Sequence, residues 1–263
     1  MTKIGAALID LSGTLHIEDL AIPGAAAALE LLRKHVEVKF VTNTTKESSR
    51  KLHDRLVKCG FRIDRSEIFT SLIAARHFIQ NHNYRPFFIV DDEAMEEFEG
   101  IETNDPNAVV IGLAPRKFNN DTMNTAFRLI KEKNAALVAI HKGRYYQKKD
   151  GIHIGPGAYV AGLEYSTGTM AEVIGKPNAL FFQLALESVQ KSADVKLDCS
   201  NVVMIGDDVK DDVGGALNAG MRGILVKTGK YRTGDEDVIN EENRNVADSF
   251  VEAVQMIIDD NVL

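Results

Sequence analysis

The apolar run GAALID, residues 5–10, ends in an acid and leads into Leu11-Ser12-Gly13-Thr14. An aspartate at the end of a strand can attack phosphorus and carry it as an aspartyl-phosphate. Gly13 and Thr14 allow a tight turn whose N–H groups can hold phosphate oxygens. An Asx-turn closing a buried strand has the same signature. Thr42-Asn43 follows a second apolar run, VEVKFV, residues 36–41. Thr42 can donate its hydroxyl to a phosphate oxygen, whereas Thr44 and Thr45 suit the cap of a helix expected from Lys46.

Gly175-Lys176-Pro177 stands between a short apolar run and a helix. A lysine fixed there can neutralise both a carboxylate nucleophile and a transferring phosphoryl group, although most lysines in loops are simply solvated. Gly206-Asp207-Asp208-Val209-Lys210-Asp211-Asp212 concentrates four acids after a strand. Hard oxygen ligands of this kind suit Mg²⁺, which takes one or two carboxylates and completes its shell with water and phosphate. An acidic first turn favoured by the helix dipole explains Asp211 and Asp212 better than Asp207. Charge counting sets the requirement for a metal. Each unit-charge pair at ~4 Å is worth about 4 kcal/mol at an effective dielectric near 20. A phosphate dianion therefore cannot approach an ionised Asp10 without compensation, and a divalent cation with Lys176 supplies it.

These runs need elements to hold them. Short apolar segments alternate with amphipathic ones: strands at 5–10, 36–41, 87–90, 108–112, 136–141, 201–205 and 223–227, and helices at about 24–34, 46–59, 71–82, 91–98, 119–133, 157–165, 178–191, 211–219 and 249–258. That alternation predicts an α/β fold with doubly wound parallel sheets covered by helices. Ligands of such sheets sit beyond the carboxyl ends of the strands, which is where Asp10, Thr42 and Asp207 fall.

Composition narrows the function further. Lys plus Arg total 31 against 38 Asp plus Glu, a net charge of −7, which disfavours a nucleic-acid binder. No apolar run approaches the ~20 residues that cross a bilayer, so no membrane partner is expected. Met1-Thr2-Lys3 leads straight into the first strand without a signal-peptide layout, and Cys59 and Cys199 are too few for a disulfide framework. Reduced thiols and a cytoplasmic protein, with nuclear residence left open, are the expectation.

Taken in order, Asp-x-Ser-Gly-Thr, strand-Thr-Asn, Gly-Lys-Pro and Gly-Asp-x-x-x-x-Asp resemble the four motifs of the haloacid dehalogenase superfamily. Val160-Ala161-Gly162-Leu163-Glu164, leading into Val173-Ile174-Gly175-Lys176-Pro177, is similar to the NagD-type branch with its large α/β cap. The resemblance implies a Rossmann-like core at residues 1–77 and 178–263 with a C2-type cap inserted at 78–177. It implies a small phosphorylated substrate, Mg²⁺ as cofactor, and pairing of two chains through the cap. Carried over residue by residue, Asp10 matches the nucleophile and a metal ligand, and the Ser12 carbonyl a second ligand. Leu11 and Ser12 join Asp10 at the phosphate, as do Thr42, the Asn43 amide and Lys176. Asp207 matches the acidic metal ligand. Asp212 matches the motif's second acid, behind the metal or bridged to it by water, and Asp208 and Asp211 gain no role. The cap is expected to choose the leaving group, with His141, Lys142, Tyr145 and Tyr146 as candidates.

At Ser12 the sequence departs from the pattern. Most phosphatases of this superfamily carry an aspartate there that protonates the leaving oxygen and later activates water. A serine hydroxyl does not titrate near pH 7, and such a group is worth about 10²–10⁴-fold. Slow turnover of alkyl esters and better turnover of pyrophosphate, aryl phosphates, phospholysine or phosphohistidine are therefore expected. The competing reading is a catalytically weak member that binds phosphate ligands or partners. Gly229-Lys230 resembles the end of a phosphate-binding loop, but Tyr231 replaces the required hydroxyl residue. Gly151, Gly155 and Gly157 read as a cap turn.

Overall fold

The computed structural model describes residues 3–45, 47–148, 151–190, 193 and 196–262. The chain divides into two compact units: Met1–Thr42, Ser49–Phe69 and Lys176–Leu263 form one, and Asn43–Ser48 with Thr70–Gly175 form the other. The expected boundaries lay at 77/78 and 177/178. The packing divides instead at 69/70 and 175/176, which places Lys176 with the first unit.

The first unit opens with β1 (Ala6–Ile9), a small hairpin β2 (His16–Ile17) and β3 (Leu20–Ala21), α1 (Ala25–Leu32), β4 (Glu37–Thr42), α2 (Ser49–Lys58) and β5 (Ile68–Thr70). The second unit follows with α3 (Ser71–Asn81), β6 (Pro86–Ile89), β7 (Ala108–Ile111), α4 (Asn120–Lys133), β8 (Ala136–Ala139), β9 (Tyr145–Lys148), β10 (Gly151–Ile154), α5 (Pro156–Thr167) and β11 (Glu172–Val173). The chain then returns to the first unit through α6 (Ala179–Gln190), β12 (Val202–Gly206), α7 (Gly215–Asn218), β13 (Arg222–Val226), β14 (Val246–Ala247) and α8 (Phe250–Val262).

Six strands build the first sheet in the order β14-β13-β12-β1-β4-β5. β1 pairs in parallel with β12 on one side, Ile9 opposite Ile205, and with β4 on the other, Ile9 opposite Phe40. Every side chain of β1 and β12 is buried, as parallel strands covered on both faces require. The chain winds outward from β1 in one direction and from β12 in the other. The switch in strand order therefore lies between these two strands, where open α/β sheets form their ligand crevice. Leu29 and Leu32 of α1 pack in one core cluster with Phe250 and Ala253 of α8.

The second unit is a parallel four-stranded sheet, β11-β8-β7-β6. Ala126, Leu129 and Ile130 of α4 and Val160 and Leu163 of α5 cover it. Asn119 caps α4 by accepting from the Thr122 N–H, and Asn134 ends it in the left-handed conformation. This is a parallel α/β core with an inserted α/β cap domain, as expected. Among the described residues no helix is long and apolar enough to cross a membrane.

Local expectations differ from the structure in four places. Residues 151–154 pair with 145–148 as a hairpin instead of forming a glycine turn. Asp92–Phe98 is a 3₁₀ segment and not an α-helix. The helix expected from Lys46 begins at Ser49, Lys46 itself lying outside the described residues, as does Lys191 at the expected end of α6. The helix expected at 211–219 starts as a wide π turn, Val209–Gly214, before one α turn.

Candidate active site

Asp10 directly follows β1, Thr42 ends β4, and Asp207 directly follows β12. Neighbouring parallel strands in register thus bring three polar residues to one edge of the sheet. Lys176 enters from the segment before α6. Its Nζ donates to Asp10 Oδ1 at 2.6 Å, to Asp212 Oδ1 at 2.6 Å and to the Val41 carbonyl at 3.2 Å. All four charged groups are nearly inaccessible: Asp10 7%, Lys176 5%, Asp207 1% and Asp212 1% exposed.

Asp212 reaches this position from the π turn, a feature frequent at functional sites. Gly206 makes room for it, because a Cβ there would stand 2.3 Å from Asp212 Oδ2. Asp208, which had no assigned role, caps this turn by accepting from the Lys210 and Asp211 N–H groups, and its other oxygen meets Lys230 Nζ at 3.0 Å.

One oxygen each of Asp10, Asp207 and Asp212 lies within 4.8 Å of the others. One ammonium cannot balance three carboxylates there. Burial alone would lower the Lys176 pKa, but Asp10 and then Asp212 hold it above the ordinary lysine value. Burial, then the Asp10 charge, pushes Asp207 up to about 6. Burial also raises Asp212, with Lys176 opposing and Asp10 adding to the rise. The carboxylates are short of positive charge. An all-oxygen, buried, anionic cluster of this kind fits Mg²⁺.

The remaining expected residues are more scattered. Leu11 is buried, and Ser12 is exposed and forms a β-bridge with His16. His16 Nδ1 bonds the Glu18 carbonyl at 2.7 Å, and burial lowers its pKa. His16 Nε2 and Thr14 Oγ1 are buried polar atoms in this loop with no hydrogen-bond partner among the described residues. Asn43 belongs to the second unit. So do the cap candidates: His141 Nε2 bonds Thr45 Oγ1 at 3.1 Å, Lys142 pairs with Glu164 at 2.7 Å, Tyr145 is 62% exposed, and the Tyr146 ring lies 5.6 Å from that of His153. A surface groove of about 900 Å³ elsewhere on the first unit is lined by Arg33, Lys39 and Glu67. Its groups bond one another, Arg33 to Glu67 and Lys39 to the Ser66 carbonyl, and it contains none of the acid cluster.

Sequence reasoning missed one participant. The loop after β13 packs on this site: Thr228 Oγ1 donates to the Gly13 carbonyl at 2.5 Å, and the Lys230 N–H donates to Asp207 Oδ2 at 2.6 Å. The strand-end rule that marked Asp10 and Asp207 applies equally to β13.

This fold and this cluster define a hydrolase class, and the comparisons agree. A family model described as haloacid dehalogenase-like hydrolase matches residues 7–104, and one described as HAD-hydrolase-like matches residues 173–253. The chain belongs to the haloacid dehalogenase-like hydrolase family. It is 55% identical to haloacid dehalogenase-like hydrolase domain-containing protein 2 of Bos taurus, covering 96% of this chain and 95% of that one. It is 35% identical to phospholysine phosphohistidine inorganic pyrophosphate phosphatase of Homo sapiens, covering 98% and 96%. The solved NagD from E. coli shares its fold with a TM-score of 0.84 at 23% identity, over 95% of this chain and 98% of that one.

Proposed function

We propose that the protein is a Mg²⁺-dependent phosphatase that works through an aspartyl-phosphate on Asp10 and favours substrates with good leaving groups. The observation that carries this reading is the buried group of Asp10, Lys176, Asp207 and Asp212 at the switch point of the sheet. It is a haloacid dehalogenase-type phosphatase by fold, site and relatives.

Lys176 holds Asp10 Oδ1, which leaves Oδ2 to attack phosphorus. The P–Oδ2 bond forms as the bond to the leaving group breaks, and the leaving group departs with the electron pair. Water then attacks phosphorus, the P–Oδ2 bond breaks, and phosphate and Asp10 are released. Lys176 stays protonated throughout and offsets the charge of Asp10 and of the phosphoryl oxygens. Thr42 and the Asn43 amide orient those oxygens. Asp10, Asp207 and the Ser12 carbonyl would hold Mg²⁺, with Asp212 behind them, and the ion would supply the remaining positive charge for the phosphoryl group.

Ser12 sets the substrate preference, because it cannot protonate an alkoxide. Pyrophosphate, aryl phosphates, phospholysine and phosphohistidine lose least from that, and the human relative is named for three of these. A second reading, a weak enzyme that chiefly binds phosphate ligands or partners, is favoured by Ser12 alone. The same proposal includes residence in the cytoplasm, extending to the nucleus, and a homodimer through the cap, where the β9–β10 hairpin exposes Tyr145, Ile152 and Ile154. The deciding experiment is a Mg²⁺-dependent screen over alkyl esters, aryl esters, pyrophosphate, phospholysine and phosphohistidine, with Asp10→Asn as the blank. Turnover confined to the parent, lost on chelation and strongest on P–N or P–O–P bonds supports the proposal. Equal kcat/KM on a sugar phosphate and on pyrophosphate removes the leaving-group preference. No turnover above the Asp10→Asn blank leaves the ligand-binding reading.

A further inference from the structure

We propose that the turn Thr228-Gly229-Lys230 is a positioning clamp for the metal ligand Asp207, acting through the Lys230 backbone N–H, the Gly229 backbone and the Thr228 hydroxyl. The inference rests on the metal reading of the carboxylate cluster. Three observations carry it. The Lys230 backbone N–H donates to Asp207 Oδ2 at 2.6 Å and so fixes one carboxylate oxygen, leaving the other for a cation. The Asp207 carboxylate is sandwiched between two glycines: a Cβ on Gly13 or on Gly229 would each stand 2.1 Å from Oδ2, and one on Gly229 would also lie 2.5 Å from Gly13 Cα. The Thr228 hydroxyl ties the two flanking loops together by donating to the Gly13 carbonyl. Both glycines have positive φ, 95° and 55°, so the same two positions need glycine for backbone and for space.

The consequence is that Asp207 cannot rotate. A carboxylate in a cluster short of positive charge would otherwise turn away from its neighbours when no cation is present. Residues that hold a ligand's other oxygen typically change metal affinity by about 10–100-fold when lost. The clamp is therefore expected to set how tightly Mg²⁺ binds more than how fast the loaded site turns over.

Gly229→Ala tests this against Gly234→Ala, a control in the same loop. Gly234 also has positive φ, 95°, but its nearest neighbour to a Cβ is 3.7 Å away, on Asp237. Both variants carry the left-handed backbone penalty, and only Gly229→Ala pushes on Asp207. Mg²⁺ affinity is read by calorimetric titration and by the Mg²⁺-induced rise in melting temperature, with no substrate present. Gly229→Ala is expected to bind Mg²⁺ at least tenfold more weakly than the parent, and Gly234→Ala to bind it like the parent. A folded Gly229→Ala with parental affinity overturns the clamp, as does equal weakening in both variants. If Gly229→Ala does not fold, Thr228→Val and Thr228→Ser decide. Loss of affinity in Val with recovery in Ser supports the clamp, and parental affinity in Val overturns it. A parent that takes up no Mg²⁺ overturns both the metal reading and the clamp, whereas failure in the variants alone removes only the clamp.

Discussion

Lys176 donates to Asp10, Asp212 and the Val41 carbonyl, and among the described residues it is the buried cation that contacts both carboxylates. Lys176→Met should lower kcat by about 10²–10³-fold, the scale of losing one charge aimed at the transition state. It should also cost about 3–5 kcal/mol of stability in chelator, because two buried carboxylates lose their partner. Steady-state kinetics and thermal melts check the two effects separately. Ser12 tests the opposite direction. Ser12→Asp should raise turnover of alkyl esters by about 10²-fold or more while changing pyrophosphate little. A flat response across a panel of substrates would contradict the role given to this position. These residues were legible because each is a strand-end polar residue after an apolar run. The Thr228–Lys230 turn obeys the same rule, but Gly229-Lys230 reads as an incomplete phosphate loop, which hides its part in the site. What the sequence could not reveal is that the Lys230 backbone N–H, not its side chain, bonds Asp207, and that the Thr228 hydroxyl bonds the Gly13 carbonyl.

Glu164 lies on α5 of the inserted domain, where Lys142 and the Ala171 N–H both bond its carboxylate, at 2.7 and 2.9 Å. Burial pushes its pKa up, but these partners prevail and hold it below the ordinary 4.5. An acid with a depressed folded pKa stabilises the fold above its unfolded value and loses that contribution as pH falls through the folded one. The melting temperature of the parent should therefore exceed that of Glu164→Gln at pH 7, and the gap should close as pH falls below 4.5. A gap that widens on acidification would contradict this. The buried parallel strands were readable from sequence because both of their faces are apolar. The β9–β10 hairpin was not, because Gly151, Gly155 and Gly157 mask the alternation of Ile152 and Ile154. Helix starts were least readable where a cap competes with its neighbours: Thr45 faces the Leu113 N–H and His141 and caps nothing, so α2 begins later.

At the scale of the molecule, the acid cluster makes cation binding a stability term. Each tenfold excess of Mg²⁺ over its dissociation constant adds about 1.4 kcal/mol to the folded state. Melting temperature should climb with Mg²⁺ concentration in the parent and much less in Asp207→Asn, as scanning calorimetry can measure. One chain crossing at each end of the inserted domain is expected from the sequence, at 77/78 and 177/178. The structure adds a separate contribution, Asn43–Ser48, lying between β4 and α2 yet packed with the inserted domain.

That detached segment has a practical consequence for anyone wishing to pare the enzyme down to its catalytic half. Deleting residues 70–175 and splicing the ends would strand Thr45 without the Leu113 amide and His141 ring that it bonds, and Ser48 without Glu96. The shortened gene product should precipitate or melt at markedly lower temperature. A version in which a plain linker also replaces residues 43–48 should remain soluble, as light scattering would reveal.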